Sequence, residues 1–338
     1  MLTGLELQNF GPLRDLHWPG LGKINLIIGA NGKGKTFLLK ALYAGVRTLE
    51  TYKRGDDKRS AAEILADKLY WTFQVDKLGD LVSRGSHDVL KFKLEWDSRT
   101  FDYEFGARTV SQIGKIENHV DPLASNSIFL PAKEVLSLHS VILKSRDEDR
   151  VFGFDDTYLD LARALQQLPR RGKPFQEVTD ARQRLESMIS GKVEFDSASK
   201  RWQYRDSNGQ RFQMGVTAEG VKKIAILDTL LGSRYLGPGS VVFIDEPEAA
   251  LHPAAVDVFM EIVSLLANCG IQFFMATHSY FVVKKLGLLA KTGDLSIPVL
   301  CAADCGWATA DFRDGIPDNP IIDESIKLYE QEVEVSLS

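Results

Sequence analysis

The chain of 338 residues is 44% hydrophobic and 26% charged, with 27 glycines, 12 prolines and 3 cysteines. That is an ordinary globular composition; it excludes a disordered, fibrous or disulfide-stapled chain and suffices for one large or two modest domains. The formal net charge of −5 excludes a broadly basic nucleic-acid coat and leaves a local basic patch as the route to DNA.

Cys269, Cys301 and Cys305 lack the spacing of a disulfide framework or a zinc site and read as small buried residues of a reduced protein. No apolar run reaches the length of a membrane span, and residues 1–13 have no secretory character. A cytoplasmic chain without membrane contact is expected.

Leu2, Leu5 and Leu7 indicate a strand before the turn Asn9-Phe10-Gly11-Pro12. Residues 24–28 form an apolar run with the look of a strand buried on both faces. It passes directly into Gly29-Ala30-Asn31-Gly32-Lys33-Gly34-Lys35-Thr36, after which Phe37, Leu38, Leu39, Ala41, Leu42 and Val46 keep helical spacing. Residues 53–59 read as a solvated loop, 61–73 as a helix and 88–130 as mainly strands. Two helices over 157–168 and 175–190 are separated by Pro169 and Pro174, and 192–214 reads as a hairpin turning at Asn208-Gly209. A helix over 219–232 precedes the apolar strand 241–244, which ends in Asp245-Glu246. A helix over 253–267 and a strand over 271–276 ending in Thr277-His278-Ser279 follow. After a turn-rich stretch, a last helix at about 321–333 carries the apolar stripe Ile322, Ile326, Tyr329 and Val333, read as packing on the protein's own core. Strand and helix alternate at both ends of the chain with an insertion between, which predicts one split α/β domain.

Residues 29–36 spell GxxxxGK[ST] between a strand and a helix. The chemistry needs each part of that spelling. Glycines let successive backbone N–H groups turn toward phosphate oxygens, and the helix adds its positive end. Lys35 reaches the β- and γ-phosphates, and Thr36 offers a hydroxyl to Mg²⁺. Gly29, Ala30, Asn31, Gly32, Lys33, Gly34, Lys35 and Thr36 are therefore the candidate site for ATP. An apolar strand ending in Asp245 delivers a carboxylate to the same magnesium, and Glu246 is placed to orient or deprotonate the attacking water.

The run Asp245-Glu246-Pro247-Glu248-Ala249-Ala250-Leu251-His252-Pro253, followed by the strand ending in Thr277-His278-Ser279, resembles the ABC-type ATPases of the SMC, RecF and OLD branch. The resemblance covers residues 1–48 and about 212–285. It implies a P-loop NTPase head of the ABC type with an inserted helical/β lobe. The head would comprise 1–48 and 212–320, the insertion 49–211 and a C-terminal helix 321–338. It further implies Asp245 as a water-mediated magnesium ligand, Glu246 as catalytic base and His278 as the histidine sensing the γ-phosphate. Residues 248–251 would cross the interface of two heads that sandwich ATP, while His252 reads as a cap or packing residue before Pro253. The family's LSGGQ signature is absent. Residues 216–223 stand in its place, with Thr217 supplying the hydroxyl and Gly220 the close approach at a helix start. Residues 131–134 hold the Q-loop position without a glutamine. Phe10 and Arg14 touch the nucleotide, or Phe10 belongs to the core.

The resemblance implies an ATP-hydrolysing homodimer or higher oligomer, the sensor subunit of a bacterial anti-phage defence complex acting with a separate nuclease or toxin. The chain length is expected to leave no room for the nuclease domain of OLD proteins. The alternative is a RecF-like repair ATPase that binds DNA in an ATP-dependent way. Lys53, Arg54, Lys58 and Arg59, with Arg170, Arg171 and Lys173, concentrate positive charge, either as solvated loops or as a DNA contact.

Overall fold

The computed structural model describes residues 1–169, 176–303 and 306–337. Strands β1 (Leu2–Phe10) and β2 (Leu13–Pro19) form a hairpin, and β3 (Ile24–Ile28) leads through the glycine-rich loop into α1 (Lys35–Thr51). Helix α2 (Ala61–Phe73) is followed by β4 (Leu90–Trp96), β5 (Arg99–Phe105), β6 (Lys115–Asn118) and β7 (Ile128–Leu130). Next come the short α3 (His139–Leu143), then α4 (Asp156–Leu165) and α5 (Gln176–Ile189). Three strands, β8 (Gly191–Asp196), β9 (Arg201–Asp206) and β10 (Arg211–Gln213), precede α6 (Glu219–Gly232). The chain then alternates through β11 (Val241–Asp245), α7 (Pro253–Asn268), β12 (Gln272–Thr277) and α8 (Tyr280–Gly293). It closes with β13 (Pro298–Ala303), β14 (Gly306–Asp311) and α9 (Pro320–Leu337).

A six-stranded sheet in the order β14-β13-β3-β12-β11-β7 forms the centre. Its pairings are parallel except for the antiparallel β13–β14 pair. Strands β3, β11 and β12 are buried at every position, which is why each reads as a continuous apolar run. Alternation splits their side chains between two cores. Leu26, Ile244 and Met275 join the core built with α6, α7 and α8, whereas Ile27, Phe243 and Phe274 join the core shared with α1 and the N-terminal sheet. The register pairs Asp245 with Ala276 and Thr277 with Ile28. The carboxyl ends of β3, β12 and β11 are therefore level, so the loops that follow them meet at one edge.

A five-stranded antiparallel sheet, β2-β1-β4-β5-β6, covers α1. This corrects the expected boundary after residue 48. Strand β4 pairs with β1 along most of its length, and β7 extends the central sheet beside β11. The first half of the intervening stretch thus builds the head's own sheets. The physical reason is that a two-stranded β1–β2 ribbon is marginal alone and gains three more strands, β4 to β6, from later in the chain. The second half, α3 to β10, is the lobe, and it shares a core with α6 through Leu161, Leu185 and Trp202.

Residues 192–214 form two hairpins in a three-stranded sheet rather than one hairpin. The β13–β14 hairpin had no counterpart in the sequence reading. Helix α9 is placed as expected, but none of its residues is buried; Ile321 and Ile322 pack against the core while Ile326, Tyr329 and Val333 face solvent. Beyond Ile322 the stripe therefore does not lie on the protein's own core. Arg170, Arg171, Lys173, Pro174 and Cys305 lie outside the described residues. Among the described residues no helix is long and apolar enough to cross a membrane.

Candidate nucleotide-binding site

Between the end of β3 and the start of α1 the chain must reverse within a few residues. Gly32 and Gly34 do so at φ 78° and 93°, in the left-handed region where a Cβ is costly. Gly34 is also crowded, since a Cβ there would lie 3.0 Å from Pro12 Cγ and 3.1 Å from Leu13 Cδ2. Because Gly34 immediately precedes α1, the unpaired N–H groups and positive end of a 17-residue helix face the loop.

Lys35 is buried and folds back over that loop, its Nζ donating to the carbonyls of Gly29 (2.7 Å) and Ala30 (2.9 Å). Burial pulls its pKa down, opposed by the charges of Asp245, Glu246 and Glu248. Thr36 Oγ1 lies 3.0 and 2.9 Å from the two carboxylate oxygens of Asp245 and donates to them. Burial raises the pKa of Asp245, against the lowering effect of that hydrogen bond. A hydroxyl and a desolvated carboxylate side by side are hard oxygen donors. That set fits magnesium, which takes a few protein oxygens and keeps its remaining positions for water and phosphate.

Glu246 follows in a left-handed backbone conformation, φ 50°. Its N–H donates to Ala276 O at 2.9 Å, and its carbonyl accepts from Ala249 N–H (2.9 Å) and from the Lys223 ammonium. Lys223, buried on α6, also lies 3.4 Å from Asp245 O. Burial draws its ammonium down to about 8, although Glu248, Asp245 and Glu246 act in the opposite direction. Glu248 ties this loop to the end of β12. It accepts from Thr277 Oγ1 and from the backbone N–H of His278, both at 2.9 Å. The pKa of His278 is lowered, first by burial and then by the charge of Lys35, with Glu246, Glu248 and Asp245 opposing.

The fold thus brings residues 29–36, Asp245, Glu246 and His278 to one sheet edge. It holds Thr217 and Gly220 elsewhere. Thr217 Oγ1 donates to Gln213 O at 3.2 Å, and Gly220 lies so close to the loop after Glu246 that a Cβ would stand 2.7 Å from Ala250 O. Residues 131–134 sit against α6, with Glu134 Oε1 3.8 Å from Lys222 Nζ. His252 caps α7, its Nδ1 accepting from Ala254 N–H at 3.2 Å. Phe10 belongs to the core, fully buried and edge-on to Phe37 at 5.3 Å, while Arg14 is exposed. The described part of the basic patch is partly spent internally. Arg54 donates to the carbonyls of Ala124 and Ser125, and Arg59 pairs with Asp57 at 2.7 Å.

Two residues of this site, Lys223 and Glu248, fall within the segments 216–223 and 248–251 but have no role of their own in the sequence reading. The signal for Lys223 was a cation within the apolar pattern of a helix; the signal for Glu248 was the second carboxylate of Asp245-Glu246-Pro247-Glu248.

Residues 24–284 match the family described as "AAA domain, putative AbiEii toxin, Type IV TA system". The chain belongs to that family. It is also 24% identical to an OLD nuclease of Thermus scotoductus, over 82% of this chain and 59% of that protein, so it spans about three-fifths of the relative's length. Two solved structures share its fold. One is an Smc head bound to the C-winged helix domain of ScpA, with 13% identity, 92% of this chain and 97% of that chain covered, and a TM-score of 0.54. The other is an Smc head with an extended coiled coil bound to the C-terminal domain of ScpA derived from Pyrococcus furiosus, with 11% identity, 98% of each chain covered and a TM-score of 0.51. The fold is α/β, a P-loop head of the ABC type.

Proposed function

We infer that the protein is a magnesium-dependent ATPase whose heads act in pairs, and that it is the sensing or regulatory subunit of a bacterial anti-phage defence complex controlling a separate nuclease or toxin. The observation that carries the ATPase reading is the contact of Thr36 Oγ1 with both oxygens of Asp245. It sets the P-loop and the carboxylate of β11 at one point, with Glu246 next in the chain.

On this reading, Gly29 to Thr36 cradle the phosphates of ATP, and Lys35 exchanges its two carbonyl partners for the β- and γ-oxygens. Thr36 and Asp245 would hold Mg²⁺, Asp245 through water, and the ion would neutralise charge on the phosphates. Glu246 accepts a proton from water as the water oxygen bonds to the γ-phosphorus and the bond to the β–γ bridging oxygen breaks, releasing ADP and phosphate. His278 donates a hydrogen bond to the γ-phosphate; before ATP binds, burial and the Lys35 charge lower its pKa.

Steady-state hydrolysis of Mg-ATP by Glu246→Gln tests this assignment. Turnover should fall by about a hundredfold or more with Mg-ATP binding retained. Unchanged hydrolysis would remove Glu246 from the role. The defence role is supported by the family and by the OLD relative, whose name includes a nuclease. Co-expression with the products of adjacent genes should yield a complex containing a nuclease or toxin, and a protein that purifies alone under those conditions argues against it.

A further inference from the structure

The buried Lys223 takes no part in the chemistry described above, yet it sits directly behind it. A buried ammonium must find acceptors, and this one finds main-chain carbonyls: it donates to Glu246 O and lies 3.4 Å from Asp245 O. Its neighbour Lys222 points differently, bonding Glu219 at 2.7 Å. Glu246 needs such support. A non-glycine residue at φ 50° is held against its own preference, by an amount of order 1 kcal/mol. Its peptide groups are fixed from several sides, the N–H by Ala276 of β12 and the carbonyl by Ala249 N–H and, from α6, by Lys223. The same α6 carries Gly220 against Ala250, at the far end of the loop.

We propose that Lys223 is a positioning residue: its ammonium clamps the carbonyl of Glu246 in the left-handed conformation that aims the carboxylate at the attacking water. This rests on the ATPase reading. Removing the clamp leaves the P-loop intact, so substrate binding survives while the base loses its aim. Because the clamp sits on α6, a displacement of the segment around Thr217 and Gly220 is transmitted to Glu246 of the same chain.

The test measures kcat, KM for Mg-ATP and thermal stability for the parent, Lys223→Met, Lys223→Arg, Glu246→Gln and the double variant Lys223→Met/Glu246→Gln. Lys223→Met should lose about ten- to a hundredfold in kcat with KM within about twofold, the signature of misaimed chemistry rather than lost binding. Lys223→Arg, which keeps charge and donors, should recover most of the loss. The double variant should be no slower than Glu246→Gln alone, since an absent base cannot be misaimed. If Lys223→Met turns over like the parent while Glu246→Gln does not, the clamp is refuted and the ATPase reading stands. A rise in KM with kcat unchanged, or additive losses in the double variant, also refutes it. Should Lys223→Met fail to fold, the Arg variant decides: an arginine variant that folds, binds Mg-ATP and remains as slow as Glu246→Gln overturns the proposal. A parent that binds Mg-ATP without hydrolysing it removes the ATPase reading and this inference together.

Discussion

Glu248 holds the end of β12 through Thr277 Oγ1 and the N–H of His278, and in doing so links the loop after Asp245 to the residue proposed to contact the γ-phosphate. Truncation to alanine leaves both donors without their acceptor, at a cost of about 1–3 kcal/mol in this half-buried place. Glu248→Ala should therefore lower the thermal midpoint by several degrees and kcat by about tenfold, while Mg-ATP affinity stays near that of the parent. Calorimetry and steady-state kinetics on one preparation separate the two effects. Lost affinity with normal kcat would show that the link serves the P-loop instead. Gly34 makes a second case at this scale. Its φ of 93° strains any side chain, and a methyl group would press on Pro12 at 3.0 Å. Gly34→Ala should cost about 1–3 kcal/mol and abolish Mg-ATP binding, because the first turn of α1 must shift. Titration calorimetry with Mg-ATP checks it.

Helix α1 carries the P-loop at one end and a buried ionic network along its side. Lys40 pairs with Asp155 at 2.6 Å, Tyr43 donates to Asp160 at 2.7 Å, and Lys68 of α2 bridges Asp156 and Asp160 of α4 at 2.8 Å each. Burial alone would raise the pKa of Asp160, but Lys68 and Arg47 outweigh it and hold the carboxyl well below the usual range. A carboxyl whose folded pKa lies below its unfolded value of about 4 stabilises the fold above that pH, and the contribution drains away as pH falls toward the folded value. Urea midpoints should drop more steeply between pH 5 and pH 3 for the parent than for Asp160→Asn, and parallel slopes would exclude Asp160 as the source. At neutral pH, Asp160→Ala should cost about 3–5 kcal/mol by leaving Tyr43 without its acceptor and the buried Lys68 with Asp156 alone. This network also marks the limit of what the sequence discloses. The P-loop, Asp245 and His278 are legible because each follows a strand within a few residues, where local pattern and chemistry coincide. The clamp by Lys223, the Asp160 network and the pairing of β4 with β1 join residues far apart in the chain, and linear spacing carries no trace of them. Helix α9 shows the opposite failure, an apolar stripe whose periodicity predicts the helix but not what covers it.

At the scale of the molecule, two segments bear on the proposed reaction, the P-loop and the start of α6. Within a chain, Thr217 and Gly220 bond and pack toward Gln213 and Ala250, while the P-loop is bonded to Asp245. On the paired-head reading, the segment at the start of α6 serves a phosphate of another copy, and a complete site takes the P-loop from one protomer and Thr217 from its partner. Such an arrangement is two-fold and closed, so each dimer holds two composite sites. Complementation then distinguishes it from a site complete within one chain. Lys35→Ala disables the P-loop, and Thr217→Arg fills the space that the partner's γ-phosphate requires; each variant alone should be inactive. Mixed in equal amounts, half of the dimers are heterodimers, in which one site combines both defects and the other has neither. Turnover should return to roughly a quarter of the parent value. A mixture no more active than its components, or full activity in Thr217→Arg alone, would place the whole site within one chain.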